Sequence, residues 1–228
     1  MEYYRKIAII VGLLFIIATV APVISGIFLG SITDVVGGIS DPDYLINAYE
    51  NENQVIIGVI LFLIMAVAVA SIAIVIYPIL KKQNEILALG YVGARISEGI
   101  FFSLNVVTIL TLLTLGKEFV QAGAPDASYY QTLSNLLIAA GDWAYLLGFG
   151  LFFTISALIL NFVLYKSKLV PRWLSVWGFV GGVLIFVYYI LQPLSISLVE
   201  ILFLPIAVQE MVFAVWLIFK GFNQSVIS

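Results

Sequence analysis

Long apolar runs alternate with short polar stretches from one end of the chain to the other. The runs cover 7–29, 55–80, 86–115, 133–165, 173–191 and 198–219. A helix needs about 20 apolar residues to cross the hydrocarbon core of a bilayer, and each run is near that length or beyond it. The pattern predicts an all-α integral membrane protein, six transmembrane helices in one bundle, forming a single transmembrane domain over 1–228.

The polar punctuation refines this. Arg5 and Lys6 precede the first run, as they would in a signal peptide. That run is long for a signal core, and Ala21-Pro22-Val23-Ile24-Ser25 is a poor cleavage site, so a retained helix is the favoured reading. Pro22 predicts a kink in it, and Gly26 with Gly30 a close helix contact. The outer polar loop, 31–54, carries Asp34, Asp41, Asp43, Glu50 and Glu52 and no basic residue. Ser40-Asp41-Pro42-Asp43 has the form of a helix start. Leu45, Ile46 and Tyr49 then share one side, which predicts a short helix along the surface. The acids lack the spacing of a cation-binding loop and read more simply as a solvated face with caps. Gly123, Pro125 and Asp126 mark a turn after the third run. Gly141-Asp142-Trp143 interrupts the fourth, and Gln192-Pro193-Leu194-Ser195 turns the fifth into the sixth.

Charge placement supplies an orientation. With six spans, Arg5, Lys6, Lys81, Lys82, Lys166, Lys168, Arg172 and Lys220 fall on one side and Lys117 on the other. By the positive-inside rule both termini are cytoplasmic, with Trp173 and Trp177 at the inner boundary. Composition agrees on the class: at 63% hydrophobic and 10% charged residues, a soluble fold could not hide the apolar surface. The chain has no cysteine and no histidine. Disulfides, thiolate chemistry, imidazole metal ligands and a Ser-His-Asp triad are therefore excluded.

Against that background the intramembrane charges stand out. Arg95 and Glu98 lie three residues apart in the third run, and on a helical period Tyr91, Arg95, Glu98 and Asn105 share a face. At 1.5 Å per residue, Arg95 and Glu98 lie about 13 and 18 Å from Ile86, and Glu210 about 15 Å from Lys220. The three can meet near the bilayer middle. Asp142 sits further out, and Glu200 is interfacial. One cation then faces three carboxylates, so protons, water or a bound cation must make up the difference. Arg95 suits a fork between Glu98 and Glu210. The candidate ligand- or ion-binding residues are Arg95, Glu98, Glu210, Asp142, Tyr91, Asn105 and Gln209, with Tyr145 and Asn161 placed to line the same cavity.

Three readings of this set stay open. The first is a small-ligand or ion site, or pathway, with a carboxylate that changes protonation. The second is a non-catalytic structural or interaction protein, whose charges only fix helix packing. The third is a membrane enzyme acting on a lipid. Enzymology is the weakest, because no Gly-x-Ser-x-Gly elbow is present and no catalytic residue is assigned. A carboxylate metal site from Glu98, Asp142 and Glu210 would contain Arg95, which repels a metal. No lysine lies in a span interior to hold retinal, no basic patch points to nucleic acid, and no cofactor is implied. The partners are membrane lipid and, on the first reading, a small molecule or ion. Gly178-x-x-x-Gly182 offers a contact within the bundle or between copies in a homo-oligomer.

Several motifs carry a family likeness. They begin with Tyr77-Pro78-x-Leu80-Lys81-Lys82-x-Asn84-Glu85, then Leu87-Ala88-Leu89-Gly90-Tyr91-Val92 with Arg95 and Glu98. Asp142-Trp143-Ala144, Leu169-Val170-Pro171-Arg172-Trp173-Leu174-Ser175 and Trp177-Gly178 continue it. Pro205, Glu210, Ala214, Trp216-Leu217-Ile218 and Lys220-Gly221-Phe222 complete it. Together they resemble the prokaryotic membrane family catalogued as domain of unknown function 4386, over most of the chain. The resemblance implies a multi-pass protein of the prokaryotic plasma (inner) membrane. It brings no established activity, substrate or cofactor.

Overall fold

In hydrocarbon a backbone N–H or C=O has no water to turn to, so an apolar stretch satisfies itself by coiling into a helix. The computed structural model describes residues 2–29, 44–123, 128–191 and 200–227, and in them every regular element is helical. The elements are α1 (Glu2–Leu29), α2 (Tyr44–Glu50), α3 (Glu52–Lys81), α4 (Glu85–Gln121), α5 (Ser128–Tyr145), α6 (Thr154–Ser167), α7 (Arg172–Leu191) and α8 (Leu204–Phe219). A π-helical stretch, Leu146–Phe153, joins α5 to α6 without a break. Five helices are long and apolar enough to cross a membrane: α1, α3, α4, the α5–α6 unit and α7. The apolar helix α8 has 16 residues, about 24 Å of rise.

Polar contacts gather the chain ends and the basic turns at one end of the bundle. Arg5 Nη1 donates to the Leu217 carbonyl at 3.1 Å, and Lys82 Nζ to the Ile227 carbonyl at 2.7 Å. Gln83 donates to the Val226 carbonyl at 2.9 Å, and the Asn223 amide to the Leu169 carbonyl at 2.8 Å. Beneath them lies the main apolar core, drawn from every long helix: Ile7, Ile72, Tyr91, Leu164, Leu174 and Phe213 are members. Asn84 caps α4 by accepting from the Leu87 amide at 2.9 Å, and so starts the helix that carries Arg95.

Several expectations need correction. The helix of the third apolar run goes on past Leu115, since α4 continues to Gln121. Its extension is covered by the predicted surface helix, α2, where Leu45 packs with Leu112, Leu115 and Phe119. The fourth run is not interrupted at Gly141-Asp142-Trp143, which are helical, and the irregularity comes later, in the π stretch. Gly26 has no neighbour within 4 Å of an added Cβ, so it makes no close contact among the described residues. Ser25 instead ties α1 to α3, donating to the Gly58 carbonyl at 2.7 Å. Pro22 lies inside α1 without ending it. Gly178 and Gly182 both face α6, against Asn161 and Leu158, which makes that motif a contact within the chain. The Ser40–Asp43 helix start, Gly30, Pro125 with Asp126, and the Gln192–Ser195 turn lie outside the described residues.

Candidate functional site

The site grows from about two turns of α4. Residues three and four apart on a helix are neighbours, so Tyr91, Arg95 and Glu98 stand in a row. Arg95 Nε donates to the Tyr91 hydroxyl at 3.3 Å, and Nη1 donates to both Glu98 oxygens at 3.2 and 3.1 Å. The other arm of the guanidinium crosses to α8, where Nη2 donates to Glu210 Oε1 at 3.3 Å. A planar fork with fixed donors can hold two carboxylates on two helices, which an ammonium cannot. Aromatic rings enclose the charge, with the guanidinium carbon 5.6 Å from the Phe15 ring centre and 5.4 Å from that of Phe153. The Arg95 and Glu98 side chains are each 2% exposed, whereas Glu210 keeps 17%.

That remaining exposure faces a cavity of about 310 Å³, lined by Arg95, Glu98 and Glu210, by the hydroxyl-bearing Thr19 and Tyr145, and otherwise by apolar side chains. On α1 its wall runs from Phe15 to Val23, on α3 from Val69 back to Phe62, and on α4 from Arg95 to Phe102. On the α5–α6 unit it runs from Phe153 back to Tyr145, and on α8 from Glu210 back to Ile206, with Phe203 just before the helix. Every one of these directions leads away from the basic end of the bundle. On the other side of Arg95 the main core closes, with Val11, Ile72, Leu160 and Phe213 all buried. The charged cluster is therefore the floor of a one-sided cavity.

The π stretch shapes the wall. Widening the helix brings residues four apart closer to alignment, and Phe149 and Phe153 stack with ring centres 4.6 Å apart and planes 4° apart. Gly150 leaves room for Tyr189, whose ring lies 2.6 Å from the place a Cβ would take. Short π segments recur at functional sites in other helices.

The structure brings together Tyr91, Arg95, Glu98 and Glu210, sets Gln209, Asn161 and Tyr145 around the spaces beside them, and leaves Asp142 and Asn105 apart. Asp142 is exposed on α5 and meets none of the cluster, so the gathered set is one cation and two carboxylates. Asn105 is buried and donates to the Gly141 carbonyl at 2.9 Å, a tie between α4 and α5. Gln209 donates to the Leu174 carbonyl at 3.2 Å and joins α8 to α7. With Asn161 it borders a void of about 10 Å³ beside Arg95 and Glu210, room for about one water molecule. Tyr145 lines the main cavity.

The profile of the family described as Domain of unknown function (DUF4386) matches residues 10–221. The chain belongs to that family. The DUF4386 match takes in every helix that lines the cavity and both ends of the Arg95–Glu210 bridge. No curated protein and no solved structure matches the chain. With its apolar helices, it is a membrane protein of a family without an assigned function. The aromatic wall was not among the candidates read from the sequence. Phe15, Phe62, Phe102, Phe149 and Phe153 look like ordinary lipid-facing or core residues in apolar runs. Their one signal was the pair Phe149 and Phe153, four apart and following Gly148 and Gly150.

Proposed function

We propose that this DUF4386 protein binds or passes a small ligand or ion at the Arg95–Glu98–Glu210 cluster, with a carboxylate changing protonation as it does so. The observation that supports this most is the cavity of about 310 Å³ whose floor is the cluster itself. A fastening between helices needs no space beside it, and pockets of this size, mostly apolar with a few converging polar groups, are the usual form of small-molecule sites. The proposal includes six spans, α8 being the sixth. Both termini then lie in the cytoplasm of a prokaryotic cell, and the cavity faces the outer half of the plasma membrane. Contacts between the basic turns and both chain ends support a common side for them.

A second reading has an observation of its own. Arg95 ties α4 to α8, and such a tie could be the whole purpose of the charges. Glu210→Gln separates the two. In nanodiscs, infrared difference spectra taken as the pH is raised should show a carboxylic acid band vanishing in the wild type. The variant should lack that change yet keep its melting temperature within a few degrees. A brace would give the opposite pair, a lowered melting temperature and no titrating band in either protein.

A further inference from the structure

Resting on the binding-site reading, we infer that the occupant is a hydrophobic organic cation, a protonated amine or quaternary ammonium group carried on an apolar body. The first reason is the charge left over at the floor. Glu98 and Glu210 together outweigh Arg95 by one negative charge when both are ionised. Glu98 engages Arg95 with both oxygens, whereas Glu210 does so with Oε1 alone. Among the described residues no hydrogen bond reaches Glu210 Oε2, and Glu210 is the carboxylate that lines the cavity with part of its surface open. A cation entering from the outer half would meet that oxygen.

The second reason is independent of charge counting. Seven aromatic rings, those of Phe15, Phe62, Phe102, Tyr145, Phe149, Phe153 and Phe203, line the space above the carboxylates. Ring faces are electron-rich and attract cations, most strongly where water is excluded, and cages of such rings recognise ammonium groups. Phe15 and Phe153 already lie at cation–π distance from the Arg95 guanidinium.

Other chemistries fit less well. An anion would find two carboxylates, with the Arg95 donors already directed at them. A bare metal ion needs six or more oxygen ligands in the calcium and magnesium range, and beyond the carboxylates these walls offer only the Thr19 and Tyr145 hydroxyls. A neutral apolar molecule would fit the walls but leave the charge uncompensated.

The test uses the full chain in nanodiscs and radiolabelled benzyltrimethylammonium, with binding read by equilibrium dialysis. Two competitors built on the same ring are added: neopentylbenzene, the probe's neutral carbon counterpart, and benzenesulfonate, an anion. Expected is saturable binding that neither competitor displaces, weakened at least tenfold by Glu210→Gln. Phe149→Leu, which removes a ring and no charge, should weaken it about twofold to thirtyfold. Size-exclusion profiles and melting temperatures confirm that both variants are folded. If neopentylbenzene or benzenesulfonate displaces the probe at equal or lower concentration, the cation assignment fails and the binding site stands. If no compound binds saturably, both fail.

Discussion

Arg95 is where the chemistry of single residues decides most. Its guanidinium serves a tyrosine hydroxyl and two carboxylates at once, on α4 and α8. Removing one partner from a buried ion pair strands the other, at about 3–5 kcal/mol. Arg95→Leu should therefore destabilise the protein by about that amount, read as a lowered unfolding midpoint in detergent. Arg95→Leu combined with Glu98→Gln and Glu210→Gln should recover much of the loss. An Arg95→Leu protein as stable as the wild type would mean the pair contributes nothing. These three residues were legible in the sequence because a charge inside an apolar run has few explanations. Asp142 differs for a geometric reason: counting residues along a helix gives depth but not azimuth, and Asp142 turns outward. The charge excess at the floor is accordingly one carboxylate, not two.

At the scale of elements, the helices are held by close approaches that small residues permit. A Cβ on Gly99 would stand 2.8 Å from the Ala66 carbonyl oxygen, a backbone atom of α3. Gly99→Val should force α3 and α4 apart and cost about 1–3 kcal/mol, seen as a lower melting temperature. Gly93, on the same helix with nothing within 4 Å, is the control. Gly93→Ala should be neutral or stabilising, since alanine is the better helix former. Equal effects of the two would show that this approach is not tight. The existence and rough bounds of the long helices were readable, because apolar length alone demands them. The π stretch was not, since nothing in its composition distinguishes a widened turn from an ordinary one. Nor was the length of α4, whose polar Lys117 and Glu118 look like a loop. They are both exposed, while the neighbouring Leu115 and Phe119 are buried with Leu45 of α2.

For the molecule as a whole, the main apolar core lies beside the basic turns, and the cavity over Arg95 extends away from them. Sidedness can be checked on single cysteines, because the chain has none of its own. Lys117→Cys should react with an impermeant maleimide on intact cells, and Lys168→Cys only after the cells are opened. The reverse pattern would turn the bundle over, and labelling of both from outside would break the six-span topology. What joins the residue, the helices and the bundle is the placing of two carboxylates against one guanidinium at the floor of a cavity. A structure of the wild-type protein in lipid, at a resolution that shows ordered solvent, tests this most directly. The expected result is density for water or a guest within hydrogen-bonding distance of Glu210 Oε2, beneath the Phe149 and Phe153 rings. Side chains collapsed onto Arg95 in continuous dry packing, with no density and no room for any, would contradict it.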